Sequence, residues 1–437
     1  MSAVMVAAFA LCGCVGLTAT DRGPRGDPVA RLAPTTPPPW REDFGDPVLR
    51  DLLKQTDAGA LDTKVALAHL RRADGEVEAA DAVRNVNVIA GVASAVGGRN
   101  FHSAGSAASP TLEISNEVDV WGRLAKARDA ARSEDRAATE DVASARLMVG
   151  AQTARTYLVL RAAQQAEAVA TRRLRLSEQA LELASARIAL GVSTRLDIDP
   201  RRAAVVATAD LAQKARDEAG LQSARLADLT GHAGQIAPTA VALVLGPPTA
   251  TISSAIVDAR PDVQAAQARL TAADQHRASA IAATRPQFQI AAAFGAPDAA
   301  IATLLDVRAL AWAVAATVSH EILDGGARRA KVHIATAEAD LADLAYRQTV
   351  LTGWSEVRDA MVADAQARRA LAAAETGLAL TRITLDIGEA RHAAGATDGL
   401  ALVALRDAVE QAELTTATAR LQVALARVQL ALATGGG

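Results

Sequence analysis

The chain has 437 residues, of which 50% are hydrophobic in type but only 3% aromatic, with 22% charged and a formal net charge of −3. An apolar fraction so poor in rings argues against a β-sandwich or a deep mixed core and favours long helices packed closely side by side. The near-balanced charge offers no electrostatic footprint for nucleic acid, and no run of about 18 apolar residues exists to form a transmembrane helix.

The chain opens on a short apolar run, Val4 to Leu11, followed by Cys12-Gly13-Cys14, which holds both cysteines of the protein. Its length suits an export signal rather than a membrane span. Leu11 and the small residues before Cys14 are similar to a bacterial lipoprotein signal. That likeness implies residues 1–13 as signal peptide and Cys14 as an acylated mature N-terminus. Val15, rather than Asp, follows it, which implies sorting to the outer membrane. Met1 to Ala3 carry no Lys or Arg, a departure that leads us to expect a translation start further upstream. Cleavage before Cys14 would discard Cys12 and leave no intramolecular disulfide. The alternative is a plain secretory signal with two incidental cysteines. A metal site at Cys12-Gly13-Cys14 lacks a nearby His or carboxylate cluster, so no metal and no cofactor are expected beyond the covalent lipid. Asp21 to Pro39, rich in Pro, Gly, Arg and Thr, reads as an extended tether, making residues 14–39 a lipidated flexible segment that ends at Trp40.

Beyond Trp40 the chain reads as a duplication, residues 40–250 and 251–437. Each half runs helix, alternating strands, very long helix, Gly-bearing turn and return helix. The turn from Arg187 through Gly191 to Leu196 aligns with that from Arg391 through Gly395 to Leu400. Ala66, Leu70 and Ala73 likewise align with Ala266, Leu270 and Ala273, so the period is about 200 residues.

Four segments alternate with the period of a strand. Val86 to Val96 is the weakest, because Val88 and Ile89 are adjacent. Leu112, Ile114, Val118 and Val120 alternate with Glu113, Ser115, Glu117 and Asp119, so one face is apolar and the other acidic. Phe288, Ile290, Ala292 and Phe294 follow Pro286, and Trp312, Val314, Ala316 and Val318 precede His320. Gly98 to Pro110 and Gly295 to Leu310 are the expected hairpin loops. Strands of roughly nine to eleven residues cross a bilayer when tilted. Four cannot close a barrel, and in lipid every edge must be paired, so a crossing requires sister copies; three would make a twelve-stranded barrel. A soluble four-stranded sheet packed on helices is the alternative.

No proline interrupts the span from Trp121 to Gly191 or from Ala327 to His392, each long enough for a helix of roughly 100 Å. In the last helix Leu402, Leu405, Val409, Ala412, Thr416, Ala419, Val423, Ala426 and Leu430 alternate steps of three and four. Only Thr416 breaks this apolar seam, which calls for a nearly parallel partner helix. Gly191 and Gly395 sit where a helix end takes positive φ before the chain reverses.

Four motifs in order resemble the outer membrane factor family of tripartite pumps, the TolC-like trimers, and within it the lipidated NodT branch. Trp40 through Phe44, Asp46, Pro47 and Leu49 is similar to that branch's opening W-x-x-F-x-D-P-x-L. Glu117-Val-Asp119-Val-Trp121-Gly122-Arg123 is similar to the motif where the second strand enters the long helix. Gly191-Val-Ser-Thr-Arg-Leu196-Asp197 resembles the first periplasmic turn, and Arg260-Pro261-Asp262 the start of the second half. The resemblance implies a mainly α fold with a small β part and an internal two-fold repeat. It further implies a TolC-like homotrimer, in which a long coiled-coil helical barrel continues into a twelve-stranded transmembrane β-barrel to which each chain gives four strands. It implies a passive outer-membrane duct, a periplasmic adaptor at the helical tips and an inner-membrane transporter of the resistance-nodulation-division class. Function should then concentrate at the tip turns, Gly191, Leu196, Asp197, Gly395 and Leu400. Arg391, Asp398, Arg406 and Asp407 are the candidate aperture charges, as rings or inter-protomer pairs, with a solvated face as the alternative. Many members carry a Tyr three residues before the tip Gly and an Asp nine after it; here these are His392 and Ala404. Trp121 and Trp312 lie at strand ends, as membrane-interface anchors or local packing, whereas Trp40 and Trp354 read as packing residues.

Two readings from other classes compete. The seven histidines are scattered, and no H-E-x-x-H, G-x-S-x-G or phosphate-binding loop occurs, so the chain is not read as an enzyme. A lipid-anchored coiled-coil interaction protein would keep the seam but has no use for four alternating segments. Within the duct reading, drugs or solvents are the expected cargo, with type I secretion or metal efflux as alternatives. Met148 and Met361 alone remain in the mature chain, which offers no thioether relay for copper or silver.

Overall fold

The computed structural model describes residues 40, 44–97, 105–231, 255–295 and 311–436. Cys12, Cys14 and the tether lie outside them. Twelve elements follow in order: α1 (Pro47–Gly59), α2 (Leu61–Ala82), β1 (Asn87–Gly97), β2 (Gly105–Val118), α3 (Arg123–Ala189), α4 (Arg195–Thr230), α5 (Ala255–Asp258), α6 (Pro261–Ala282), β3 (Gln287–Gly295), β4 (Ala311–Ser319), α7 (Ala327–Ala393) and α8 (Gly399–Ala433). The order of six elements repeats, as the sequence period requires. The described residues form two compact units, one within 68–139 and 265–347, the other of 40, 44–67, 140–231, 255–264 and 348–436. Each draws on both repeats.

The first unit holds one antiparallel sheet in the order β1-β2-β3-β4. The register places Val88, Ile114, Ala292 and Val314 in one row, and Leu112, Phe294 and Trp312 in another, all on one apolar face. Ile89, Glu113, Ala293 and Ala313 occupy the opposite face. The adjacency of Val88 and Ile89 is thereby resolved, since only Val88 joins the apolar rows. Two expectations need correction. Gly105 to Pro110, expected in a loop, extends β2, because residues 92–97 of β1 supply partners from Val92 opposite Pro110 to Gly97 opposite Gly105. Pro110 lies just beyond the β2–β3 ladder, which begins at Thr111 opposite Gly295, where a missing N–H is tolerated. At the other end β2 stops at Val118, and Val120 falls in the turn, its N–H bonded to the Val118 carbonyl at 2.8 Å. Gly295 closes β3, and residues 296–310 lie outside the described ones.

The second unit is helical. Asp46 caps α1, accepting from the Val48 and Leu49 N–H groups at 2.9 and 3.4 Å. Its second oxygen receives the Tyr157 hydroxyl at 2.6 Å and the Arg161 guanidinium at 2.8 Å. Trp40, Phe44, Leu49 and Leu53 pack there with Tyr157, Leu158, Leu226 and Val428. The opening motif is thus a cap plus core anchors that fasten α1 to α3. Trp354, expected to pack, is 42% exposed. At the start of the second repeat Arg260 is buried, donating to the Ala433 carbonyl at 2.7 Å, to both Asp262 oxygens and to Glu356 at 2.6 Å. A cation at the α8 C-terminus complements the helix dipole.

The seam of α8 is unequally buried. Val423, Ala426 and Leu430 are buried, whereas Leu405, Val409 and Ala412 nearer the turn are only partly covered. Thr416, the polar break, is accommodated by donating to Ala412 O at 2.9 Å and across to Ala374 O of α7 at 3.3 Å. Leu405 packs where Gly388 of α7 leaves no room for a Cβ.

Candidate functional site

Two Gly turns in the helical unit collect most of the residues singled out from the sequence. In the first, Gly191 has φ +71° and donates to Ile188 O at 2.9 Å, while Val192 N–H returns to Arg187 O at 3.0 Å. In the second, Gly395 has φ +72° and donates to His392 O at 2.9 Å, while Ala396 N–H returns to Arg391 O at 2.8 Å. Both are Schellman-type helix ends, which satisfy the last carbonyls and need a residue tolerant of positive φ.

The return helices are capped differently. Asp197 reaches back to the Thr194 N–H at 3.1 Å and accepts from the Ser193 hydroxyl at 2.7 Å, completing a capping box on α4. These bonds, the Ser193 hydroxyl foremost, hold its carboxyl below the usual range. Asp398 caps α8 itself, accepting from Ala401 N–H at 2.8 Å, and that bond, with Arg187 nearby, lowers its carboxyl too.

Three of the four candidate aperture charges are met by partners within the chain. Arg187 bonds Asp398 at 3.3 Å, linking the foot of the first turn to the cap of the second. Arg173 grips Asp407 at 2.8 Å, and Arg406 bonds Glu389 at 2.9 Å. Arg391 is exposed and has no side-chain hydrogen bond among the described residues. Further along, Glu413 receives both Arg172 of α3 at 3.0 Å and Arg382 of α7 at 2.8 Å, and Arg172 also takes Glu410. Sequence reasoning missed Arg173, Arg187, Arg382, Glu389, Glu410 and Glu413. Only the alignment of Arg187 with Arg391 hinted that a turn-proximal cation belongs to both repeats. His392, in place of the expected Tyr, sets Nδ1 2.7 Å from Thr397 O, inside its own turn. The apolar content differs as well: Leu190, Val192 and Leu196 of the first turn are 76%, 68% and 85% exposed, whereas Leu400 of the second is half-buried.

The tryptophans separate. Trp121 donates Nε1 to the Pro286 carbonyl at 2.8 Å and lies under the Arg285 guanidinium, 4.8 Å from the ring centre. It fastens the β2–α3 turn to the α6–β3 turn, a packing role with one exposed edge. Beside it Asp119 caps α3 through Leu124 and Ala125 N–H, and Arg123 makes a two-point pair with Glu117. Trp312 is 73% exposed and opposite Phe294 at the far end of the sheet. From the Phe288–Val318 pair to the Phe294–Trp312 pair the strands rise about 20 Å, close to the roughly 25 Å apolar band of membrane barrels. Among the described residues no helix is long and apolar enough to cross a membrane, and no group of His, Cys, Asp or Glu is arranged to hold a metal.

The model of the outer membrane efflux protein family matches residues 52–232 and 252–436. The chain belongs to this family. As a member it is an outer-membrane efflux channel protein, and the two matched segments follow the repeat. Among relatives, outer membrane protein OprJ of Pseudomonas aeruginosa is 27% identical over 383 residues, covering 83% of this chain and 78% of OprJ. The pyoverdine export outer membrane protein OpmQ of Pseudomonas putida is 27% identical over 414 residues, covering 91% of this chain and 88% of OpmQ. The solved structure of CusC superposes with a TM-score of 0.83 at 21% identity, covering 93% of this chain and 96% of CusC. The efflux-protein fold is therefore that of a TolC-like protomer.

Proposed function

We propose that this efflux protein is the outer-membrane duct of a tripartite pump: a homotrimer that passes small molecules such as drugs or solvents, does no chemistry of its own, and is anchored by lipid on Cys14. The observation that carries the reading is the sheet. One face is apolar over the length of a membrane crossing, and among the described residues β1 and β4 are edges without partners. In lipid such edges must be paired, and sister chains supply strands of the same length. The exposed Leu190, Val192 and Leu196 at the first turn suit a periplasmic adaptor, which would connect to a transporter of the resistance-nodulation-division class. The pairs of Asp398 with Arg187, Arg406 with Glu389 and Asp407 with Arg173 support a role in holding the second turn, and Arg391 is left to act across protomers in this reading.

Purified protein in mild detergent is expected to migrate as a heat-modifiable trimer and to conduct in planar bilayers. A folded monomer, stable without detergent, would remove the reading. Palmitate labelling that persists in Cys14→Ser would remove the anchor. The relatives' names point to unlike cargo, pyoverdine for OpmQ, so cargo here is assigned only as a class.

A further inference from the structure

The polar face of the sheet carries one carboxylate that the fold does not neutralise. On that face β2 places Glu113, Ser115 and Glu117. Glu117 is paired with Arg123 at 2.6 Å. Two other carboxylates at the helical end of the sheet are also matched: Asp324 with Arg328 at 2.8 Å, and Asp119 with the first N–H groups of α3. Glu113 has no such partner among the described residues and is exposed. Its row explains why. The register sets Ile89 on one side and Ala293, then Ala313, on the other, so the carboxylate is the one polar side chain in a row of hydrocarbon. The rows nearer the helices are different, carrying Gln289 and Thr317 beside Glu117, and Asn87 beside Ser115.

Resting on the duct reading above, in which this face lines the lumen, we infer that Glu113 is a charge-selectivity residue of the barrel, favouring cationic and neutral cargo over anions. Three copies at one level would make a ring of carboxylates whose row-mates among the described residues, Ile89, Ala293 and Ala313, offer no hydrogen-bond donor. Their field extends about one Debye length, roughly 8 Å at physiological salt, from the wall, so a solute passing close to the ring feels it. The residue acts on passage and requires no bound ion.

The test reads the local potential directly and does not depend on the helical tips. A thiol is introduced on the polar face by Ala293→Cys, adjacent to Glu113, or on the apolar face by Ala292→Cys. Cells are then treated from outside with a cationic or an anionic methanethiosulfonate of similar size. Ala293→Cys is expected to react, with the cationic reagent favoured severalfold, and Glu113→Gln in that background should lower the preference by roughly threefold. Ala313→Lys, which leaves Glu113 in place and adds an opposite charge to the same row, should lower it similarly and guards against a folding defect in the first variant. An unchanged preference in both variants overturns the inference and leaves the duct standing. Reaction at Ala292→Cys but not at Ala293→Cys, or at neither, overturns the face assignment and the duct together.

Discussion

The two Gly turns share a backbone and differ in what they present. Each closes a 67-residue helix with the same pair of reversed hydrogen bonds around a glycine at φ near +70°. The first then exposes Leu190, Val192 and Leu196, while the second presents Ala394 and Ala396 and is tied down by Arg187 on Asp398 and by His392 on Thr397. Helix-end geometry is a local matter of one residue that tolerates positive φ and one that caps. Exposure and restraint are separate properties written on neighbouring positions, so a duplicated turn can keep its shape while its copies differ: one exposes apolar side chains, the other is held by polar contacts.

That division can be broken at several points. The largest effect is expected from Leu190→Asp combined with Val192→Asp. Efflux-dependent resistance should fall roughly tenfold or more with the trimer intact, because charge in a desolvated contact is costly. Ala394→Asp with Ala396→Asp should change it less than about twofold. Equal losses at both turns would erase the distinction, and minimum inhibitory concentrations measure it.

Next is the packing beneath the second turn. Gly388→Ala obliges the partly covered tip of Leu405 to turn aside, a crowding cost offset by the helix preference of Ala, so the net loss in chemical unfolding should be at most about 1 kcal/mol. Its counterpart in the first repeat is Ala184, already buried, where Ala184→Gly should cost about 1 kcal/mol. A Gly388→Ala variant more stable than the parent by about 1 kcal/mol, the whole helix preference of Ala, would show that the two helix pairs do not differ in closeness.

The polar contacts themselves should matter to conductance more than to stability. The Arg187–Asp398 pair is 43% and 52% exposed, so its loss should cost less than about 1 kcal/mol. Asp398→Ala with Arg391→Ala is nevertheless expected to raise single-channel conductance a few-fold, whereas Asp197→Ala should leave it unchanged. Identical conductance in both variants would remove these charges from the aperture.

The smallest effect concerns pH. Asp197 and Asp398 both titrate below the ordinary 3.8, lowered first by Ser193 and by Ala401 N–H respectively. A depressed carboxyl stabilises the fold above its unfolded value and loses that contribution as pH falls through the folded one. Conductance should therefore be flat from about pH 7.5 to about pH 5 as far as these two caps are concerned, and change only below about 3.8. A transition near pH 6 abolished by Asp398→Asn would contradict the assignment.

Much of this was legible in the chain itself. The proline-free spans became α3 and α7 almost to the residue, because no Pro breaks either run and each ends at a Gly that takes positive φ, Gly191 and Gly395, while the glycines inside the helices are tolerated. Alternation located all four strands, because the pleat repeats every two residues. What failed, failed for reasons of partnership. Gly105 to Pro110 looks like a loop and becomes strand because β1 stands beside it. Trp121, left open by the sequence between interface anchor and local packing, takes Pro286 and Arg285 as partners, whose position depends on the neighbouring hairpin. Leu405 looks like a buried seam residue and is only partly covered, since α8 is enclosed chiefly near its C-terminal end.

From its residues alone this protein already had a duplicated helix-and-strand plan, two glycine reversals and the apolar rows of a sheet, because those follow from local sterics and from periodicities of 3.6 and 2. Only the folded chain decided which carboxylate each arginine meets, which turn is tied down and which exposed, and that Glu113 stands alone in its row. Pairings between residues more than a hundred positions apart carry no local signature. They exist because long helices and strands bring distant positions to the same level, and it is charge and packing at that level that the function uses.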